Sequence, residues 1–175
     1  MEGKTCAFTG HRPHKLPFGY NEDDPRCRRL KEALLCCIRD LIEKENVLHF
    51  ITGMALGVDM FAAEAVQSLK KKDPRLTLEA AVPCANQSAR WSEEMRYRYA
   101  CILSGCDKVT TLQEFYTMGC MERRNRYMVE QADFLIAVWD GSPGGTSGTL
   151  RYARSLGRSI FIIDPTRPEV AAPLV

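Results

Sequence analysis

No stretch of this 175-residue chain stays apolar for the ~20 residues that a membrane-crossing helix requires, which argues against a helical anchor. A dominant charge sign is also missing. The 24 Lys and Arg stand against 22 Asp and Glu, a formal net charge of +2. Apart from the short runs Arg26–Arg29, Lys70–Lys72 and Arg123–Arg126, the basic residues are scattered. A dedicated nucleic-acid module carries a basic face or stripe, so nucleic acid is not the expected partner. No Cys-x-x-Cys occurs among the eight cysteines, which argues against a structural zinc site. Their spacing forms no disulfide framework either: Cys6 falls in a strand pattern, and Cys36 and Cys37 in a helical one. They are expected to act as small buried apolar residues. His11-x-x-His14 has no third ligand nearby, so neither a metal nor a cofactor is expected. Met1-Glu2-Gly3-Lys4 does not read as a secretory leader, and a cytoplasmic protein is the expectation. The Lys-Ser/Thr pair of a P-loop and the Gly-x-Gly-x-x-Gly dinucleotide fingerprint are both absent.

What is present is ordinary globular material, 45% apolar and 26% charged, with no repeat and no linker. The reading is one domain spanning 1–175, with its core at about 4–163 and a tail of three prolines from Asp164 that packs loosely. Short apolar runs alternate with amphipathic helical patterns. Strands are expected at Lys4–Thr9, Val47–Thr52, Leu76–Val82, Asp107–Leu112, Asp133–Trp139 and Ser159–Ile163. Pro25 opens the first helix, where Leu30, Leu34, Cys37, Ile38 and Leu41 recur at helical steps. A second helix follows Gly57. Ser88 is the expected N-cap of a third running to about Ser104, and further helices are expected over Met121–Ala132 and Thr146–Leu156. Such alternation predicts a Rossmann-like α/β three-layer sandwich, a mostly parallel sheet with helices on both faces. Ligands of such sheets bind beyond the carboxyl ends of the strands.

Two glycine-rich turns stand at those ends. Thr52-Gly53-Met-Ala-Leu-Gly57-Val-Asp59 opens straight into a helix: either its free amides face an anion and Asp59 a ribose hydroxyl, or Gly53 and Gly57 only shape a tight loop and Asp59 caps the helix or complements its dipole. Asp140-Gly141-Ser-Pro-Gly144-Gly145-Thr146-Ser-Gly-Thr149 holds four glycines where a plain connector needs one or two. That excess, with Ser and Thr hydroxyls as added donors, is the composition of a phosphate-wrapping loop. The first loop, Thr9-Gly10-His11-Arg12, adds a guanidinium able to grip a phosphate or carboxylate. Gln87 and Trp91 follow strand three, where the indole either stacks on a base or packs its helix on the sheet. Asn125 and Arg126 either line the same cleft or serve helical salt bridges. No catalytic residue can be named.

These segments together resemble the YpsA-like family of the SLOG superfamily, which also holds DprA and the LOG phosphoribohydrolases. They are Thr9-Gly10-His11-Arg12-Pro13, Thr52-Gly53-(x3)-Gly57-Val58-Asp59, Gln87-(x3)-Trp91, Asn125-Arg126-Tyr127-Met128 and Asp140-Gly141-(x2)-Gly144-Gly145-Thr146-(x2)-Thr149. The resemblance covers about residues 4 to 163. It implies a Rossmann-like fold, a bacterial protein and a pocket for a nucleotide or nucleotide-derived ligand of the ADP-ribose kind. It also allows a homodimer, though no stretch marks an interface. In LOG enzymes a glutamate follows the Pro-Gly-Gly loop; here the loop is one residue longer, and Arg151-Tyr152 occupy that place. Bond cleavage of this type needs a carboxylate. The expectation is therefore ligand binding or sensing, with a nucleotide N-glycosidic hydrolase or a DprA-like single-stranded DNA binder as the alternatives.

Overall fold

The computed structural model describes residues 3–169 and 172–174. Seven strands form one sheet: β1 (Lys4–Gly10), β2 (Val47–Thr52), β3 (Thr77–Val82), β4 (Lys108–Thr111), β5 (Phe134–Val138), β6 (Ser159–Ile163) and β7 (Ala172–Leu174). Their order is β4-β3-β2-β1-β5-β6-β7. The first six run parallel, and β7 pairs antiparallel with β6. The Rossmann-like three-layer expectation is met. The loosely packed tail is not, because Ala172–Leu174 adds an edge strand there. Pro173 is tolerated at such an edge, where one side of the strand makes no ladder bonds.

Five helices cover the two faces: α1 (Pro25–Glu45), α2 (Val58–Lys70), α3 (Glu93–Ser104), α4 (Cys120–Gln131) and α5 (Gly145–Ser155). The strands alternate with period two between them. Cys6 and Phe8 of β1, Phe50 of β2 and Leu78 and Val82 of β3 join the core under α1, α2 and α3. Ala7, Ile51, Ala81 and Ala137 face the opposite core with Met128 of α4 and Leu150 of α5. Large side chains thus fill one face, while three alanines on the other let α4 and α5 sit close to the sheet. Every residue of β5 is buried, as its unbroken apolar run suggested.

Local chemistry sets the helix ends. Asp24 caps α1 by accepting from the Arg26 N–H at 2.8 Å, ahead of Pro25. The expected cap at Ser88 is displaced four residues. Ser92 is the cap, its Oγ accepting from the Met95 N–H at 3.3 Å, and Glu93 and Glu94 complement the helix dipole. Residues 84–91 wind instead through successive turns, with the Trp91 N–H on the Ser88 carbonyl at 3.0 Å. The cysteines are all free. Cys6 and Cys37 are buried as expected, but Cys36 lies one step off the buried face of α1 and is exposed.

Strand order reverses between β1 and β5. The loops leaving their carboxyl ends diverge to opposite faces and leave a crevice there.

Candidate functional site

The crevice is a cavity of about 300 Å³. It is lined by Thr9, Gly10, His11, Arg12, His14 and Lys15 after β1, and by Ala55 and Asp59 around the start of α2. Met121, Arg124 and Asn125 come from α4, and Ser142 to Thr146 from the loop after β5. Arg12, Lys15 and Arg124 bring three full positive charges against the single carboxylate of Asp59. The charge balance of such a cavity is more favourable to an anion than to a cation.

Its two main walls are latched together. The His11 N–H donates to the Val138 carbonyl at 3.3 Å. His11 is 3% exposed, and its Nε2 lies 2.7 Å from Asp140 Oδ1, the separation of a charge-assisted hydrogen bond. Lys15 Nζ donates to the Pro143 carbonyl at 2.8 Å. Asp140 also accepts from the Ser142 N–H at 2.9 Å. Ser142 and then His11 hold the Asp140 carboxyl well below the usual carboxylate range. Asp140 is thus a strut that shapes the glycine loop, and it does not line the cavity.

The Thr52–Asp59 turn is built from the inside. Thr52 Oγ1 donates to the Asp59 carbonyl at 2.9 Å and accepts from the Met54 N–H at 3.3 Å. Asp59 Oδ2 accepts from the Ala55 N–H at 3.2 Å. Gly57, at φ +91°, brings the chain against the first loop, and the Val58 N–H at the start of α2 points at the His11 carbonyl, 3.5 Å away. The expectation of free α2 amides facing a ligand is therefore not met. Neither Gly53 nor Gly57 lines the cavity. Gln87 supports the same turn from behind, its Nε2 donating to the Met54 carbonyl at 3.3 Å.

Arg124 is the residue that sequence reasoning missed. It is 3% exposed, and its guanidinium donates to the Gly53 carbonyl and, from Nε, to Asn125 Oδ1 at 2.7 Å. Gly53 lacks a side chain because Arg124 Nη1 would stand 2.6 Å from its β-carbon, with Asp59 Oδ2 at 2.8 Å. Burial raises the Asp59 carboxyl, and the charge of Arg124 pulls it back. Burial likewise lowers Arg124, opposed first by Asp59. The signal was available. Cys120, Arg124 and Met128 recur every four residues, so a charge sits on an otherwise apolar stripe. Arg126, by contrast, pairs with Glu122 at 3.0 Å, the salt-bridge reading.

The Asp140–Thr149 turn is open. Gly144 stands at φ +146°, and Ser147 Oγ braces it, accepting from its N–H at 3.1 Å and donating to its carbonyl at 2.9 Å. Among the described residues nothing accepts from the N–H groups of Gly145 or Thr146 at the start of α5. Thr146 is 8% exposed, lines the cavity, and its hydroxyl has no partner among the described residues. Thr149 is buried instead, with Oγ1 donating to the Gly145 carbonyl at 3.0 Å. Trp91 stands away from the cavity, packed edge-on against Tyr99 with ring centroids 5.3 Å apart. Its packing role holds, and stacking on a ligand in this cavity does not.

The YspA SLOG family profile matches residues 6–156. The chain belongs to that family. It is 34% identical over 156 residues to the uncharacterized SPbeta prophage-derived protein YoqJ of Bacillus subtilis, covering 81% of this chain and 91% of that one. A UPF0398 protein of Brevibacillus brevis is 30% identical over 146 residues, covering 80% and 77%. Among solved structures, DNA processing protein A from Helicobacter pylori, described by its single-stranded DNA binding mode, superposes with a TM-score of 0.60 at 17% identity. DprA from Streptococcus pneumoniae gives 0.59 at 17%. Those superpositions cover 92% and 93% of this chain but only 65% and 50% of the two neighbours, and they establish a shared fold. For this SLOG family member no helix among the described residues is long and apolar enough to cross a membrane. The described residues also contain no cluster of three or more His, Cys, Asp or Glu able to hold a metal ion.

Proposed function

We propose that the crevice binds the phosphate of a nucleotide or nucleotide-derived ligand at the start of α5, and that the protein senses this ligand rather than cleaving it. One observation carries the reading: the backbone N–H groups of Gly145 and Thr146 and the Thr146 hydroxyl, all without a partner among the described residues, belong to residues that line a cavity ringed by Arg12, Lys15 and Arg124. Helix N-termini attract anions through aligned amides and the dipole, and on the same cavity wall Ser142 Oγ is buried with no partner among the described residues, which is costly until a ligand supplies one. The Arg12 guanidinium makes no ion pair or hydrogen bond among the described residues, which leaves its fork available. The one carboxylate in the cavity, Asp59, is tied to the Ala55 N–H and faces Arg124. A carboxylate so engaged is poorly placed to activate water, which favours binding over hydrolysis.

Thermal unfolding with ribose 5-phosphate, nucleoside monophosphates and ADP-ribose tests this. A saturable rise in midpoint is expected, and Gly145→Asp, which puts a carboxylate in the anion's place, should abolish it. No rise with any of these ligands, or a rise that survives Gly145→Asp, rejects the reading. Free base released on long incubation, and lost in Asp59→Asn, would restore the hydrolase. Single-stranded DNA is a second reading, favoured by the fold shared with DprA and by the exposed Phe115 and Tyr116. A retarded complex weakening steeply with salt would support it.

A further inference from the structure

The crevice does not end at the glycine loop. Across Met121, Asn125, Gly144 and Gly145 it meets a second cavity of about 720 Å³, held between α4 and α5. Its floor is the bare backbone of α5, since a β-carbon on Gly145 or Gly148 would meet nothing within 4 Å. Most of its polar walls are already engaged. Arg126 lies 4.9 Å from the Tyr152 ring centroid and pairs with Glu122, and Tyr152 donates to Glu130 at 2.6 Å. Tyr116 and Arg151 are not. Both line the cavity, both are exposed, and neither has a partner among the described residues. Asn125 stands at the junction with its amide N–H groups unpaired among the described residues.

We infer that this second cavity receives the nucleoside half of the ligand, the base lying against Tyr116 and Arg151 and the sugar passing Asn125. The inference rests on the phosphate reading above. A cavity floored by bare backbone and lined by one free phenol ring and one free guanidinium offers a nucleobase both stacking and cation–π contact. It also gives the Arg151-Tyr152 pair a use. The α5 position where LOG enzymes carry their acid here turns a cation toward the groove.

The test uses the full chain in a Trp91→Phe background. Trp139 then remains as the sole tryptophan, its indole N–H donating to the Ser142 carbonyl in the glycine loop at 2.7 Å, and its fluorescence reports occupancy. Titrations compare ribose 5-phosphate with the four common nucleoside monophosphates. At least one nucleotide should bind about 10-fold or more tighter than ribose 5-phosphate, the scale of one base stacked on an aromatic ring. Tyr116→Ala should erase that advantage while leaving ribose 5-phosphate affinity unchanged, and Arg151→Ala should erase part of it. Tyr116 is 63% exposed, so its loss should not disturb folding. Equal binding of ribose 5-phosphate and every nucleotide overturns this inference and spares the phosphate reading. Failure of all of them to bind overturns both. Oligo(dT) binding tighter than any nucleotide, and weakened by Tyr116→Ala, would assign the groove to a strand and overturn it as well.

Discussion

A β-carbon on Gly53 would stand 2.6 Å from the Arg124 guanidinium, and one on Gly57 2.9 Å from the His11 carbonyl, whereas one on Gly145 or Gly148 would meet nothing within 4 Å. In sequence the two turns look alike, each with glycines between a buried strand and a helix. In the first, glycine exists because other parts of the protein fill the space beside it. In the second, the space stays open and the backbone amides behind it stay unpaired. The first turn is scaffold, and the second is the surface the scaffold presents. Thr52–Asp59 positions Arg124 and the first loop, and on the proposed reading Asp140–Thr149 holds the ligand beside them.

The comparison predicts that the largest effects fall on the packed turn. Arg124→Ala should cost about 3–5 kcal/mol in chemical denaturation, because Asp59 is left buried without its counter-charge. Replacing both together, as Arg124→Met with Asp59→Asn, should cost less than Arg124→Ala alone. A cost under about 1 kcal/mol for Arg124→Ala would mean that the first turn does not depend on it. Gly57→Ala comes next. It forces φ +91° on an L-residue and pushes the His11 carbonyl, for about 1–3 kcal/mol. Through His11 it should also loosen the latch to Asp140 and weaken ligand binding, and a loss of stability without a loss of binding would separate the two turns.

A third prediction sharpens what the scaffold half contributes, at the sheet edge away from the crevice. Glu79 on β3 is 3% exposed and accepts from Tyr127 at 2.6 Å and Thr110 at 2.7 Å, with His49 Nε2 at 3.2 Å and Lys108 at 3.4 Å. Burial opposes its ionisation, but the bonds from His49, Tyr127 and Thr110 and the charge of Lys108 outweigh it and hold the carboxyl down at about 2. A depressed carboxyl contributes stability above its ordinary value of 4.5, and that contribution drains away as pH falls from about 4.5 to about 2. Denaturation at stepped pH should show an acid limb on the order of 2 kcal/mol that Glu79→Gln flattens. An unchanged limb would move the acid sensitivity elsewhere.

How much of this was legible follows the same division. The period-two strands and the stripe of α1 declared themselves because burial writes a regular pattern into sequence. The open Gly144–Thr146 turn stood out because its glycine and hydroxyl residues exceed what a plain connector needs. Thr9 to Arg12, Asp59 and Asn125, expected at a ligand site, do line the cavity. Gly53 and Gly57 were read either as ligand contacts or as shaping a tight loop, Gln87 and Asp140 as ligand contacts, and in the structure each holds another segment: a glycine signals close approach without saying whether to a ligand or to protein. Arg124 was passed over because its role depends on a carbonyl 71 residues away. The Lys15–Pro143 contact spans 128 residues and leaves no local trace. Trp91 was misplaced by the helix start, since Ser88 and Ser92 are equivalent as caps until the two glutamates after Ser92 are weighed.

The smallest stability effect is the most telling for function. Gly145 is the first residue of α5, its φ is not left-handed, and its β-carbon would reach open space. Gly145→Ala should therefore change stability by no more than about 0.5 kcal/mol, the open space offsetting nothing and a helix former replacing a poor one. Gly145→Asp goes further, because a carboxylate in the first turn of a helix is favourable by about 0.3–1 kcal/mol through the dipole. The same carboxylate occupies the site of the anion and repels it. Melting temperature should hold or rise while the ligand-induced shift disappears. Such opposite signs cannot come from a turn that is merely structural. If Gly145→Asp instead unfolds the protein as Gly57→Ala does, the second turn is scaffold like the first, and the distinction between them collapses.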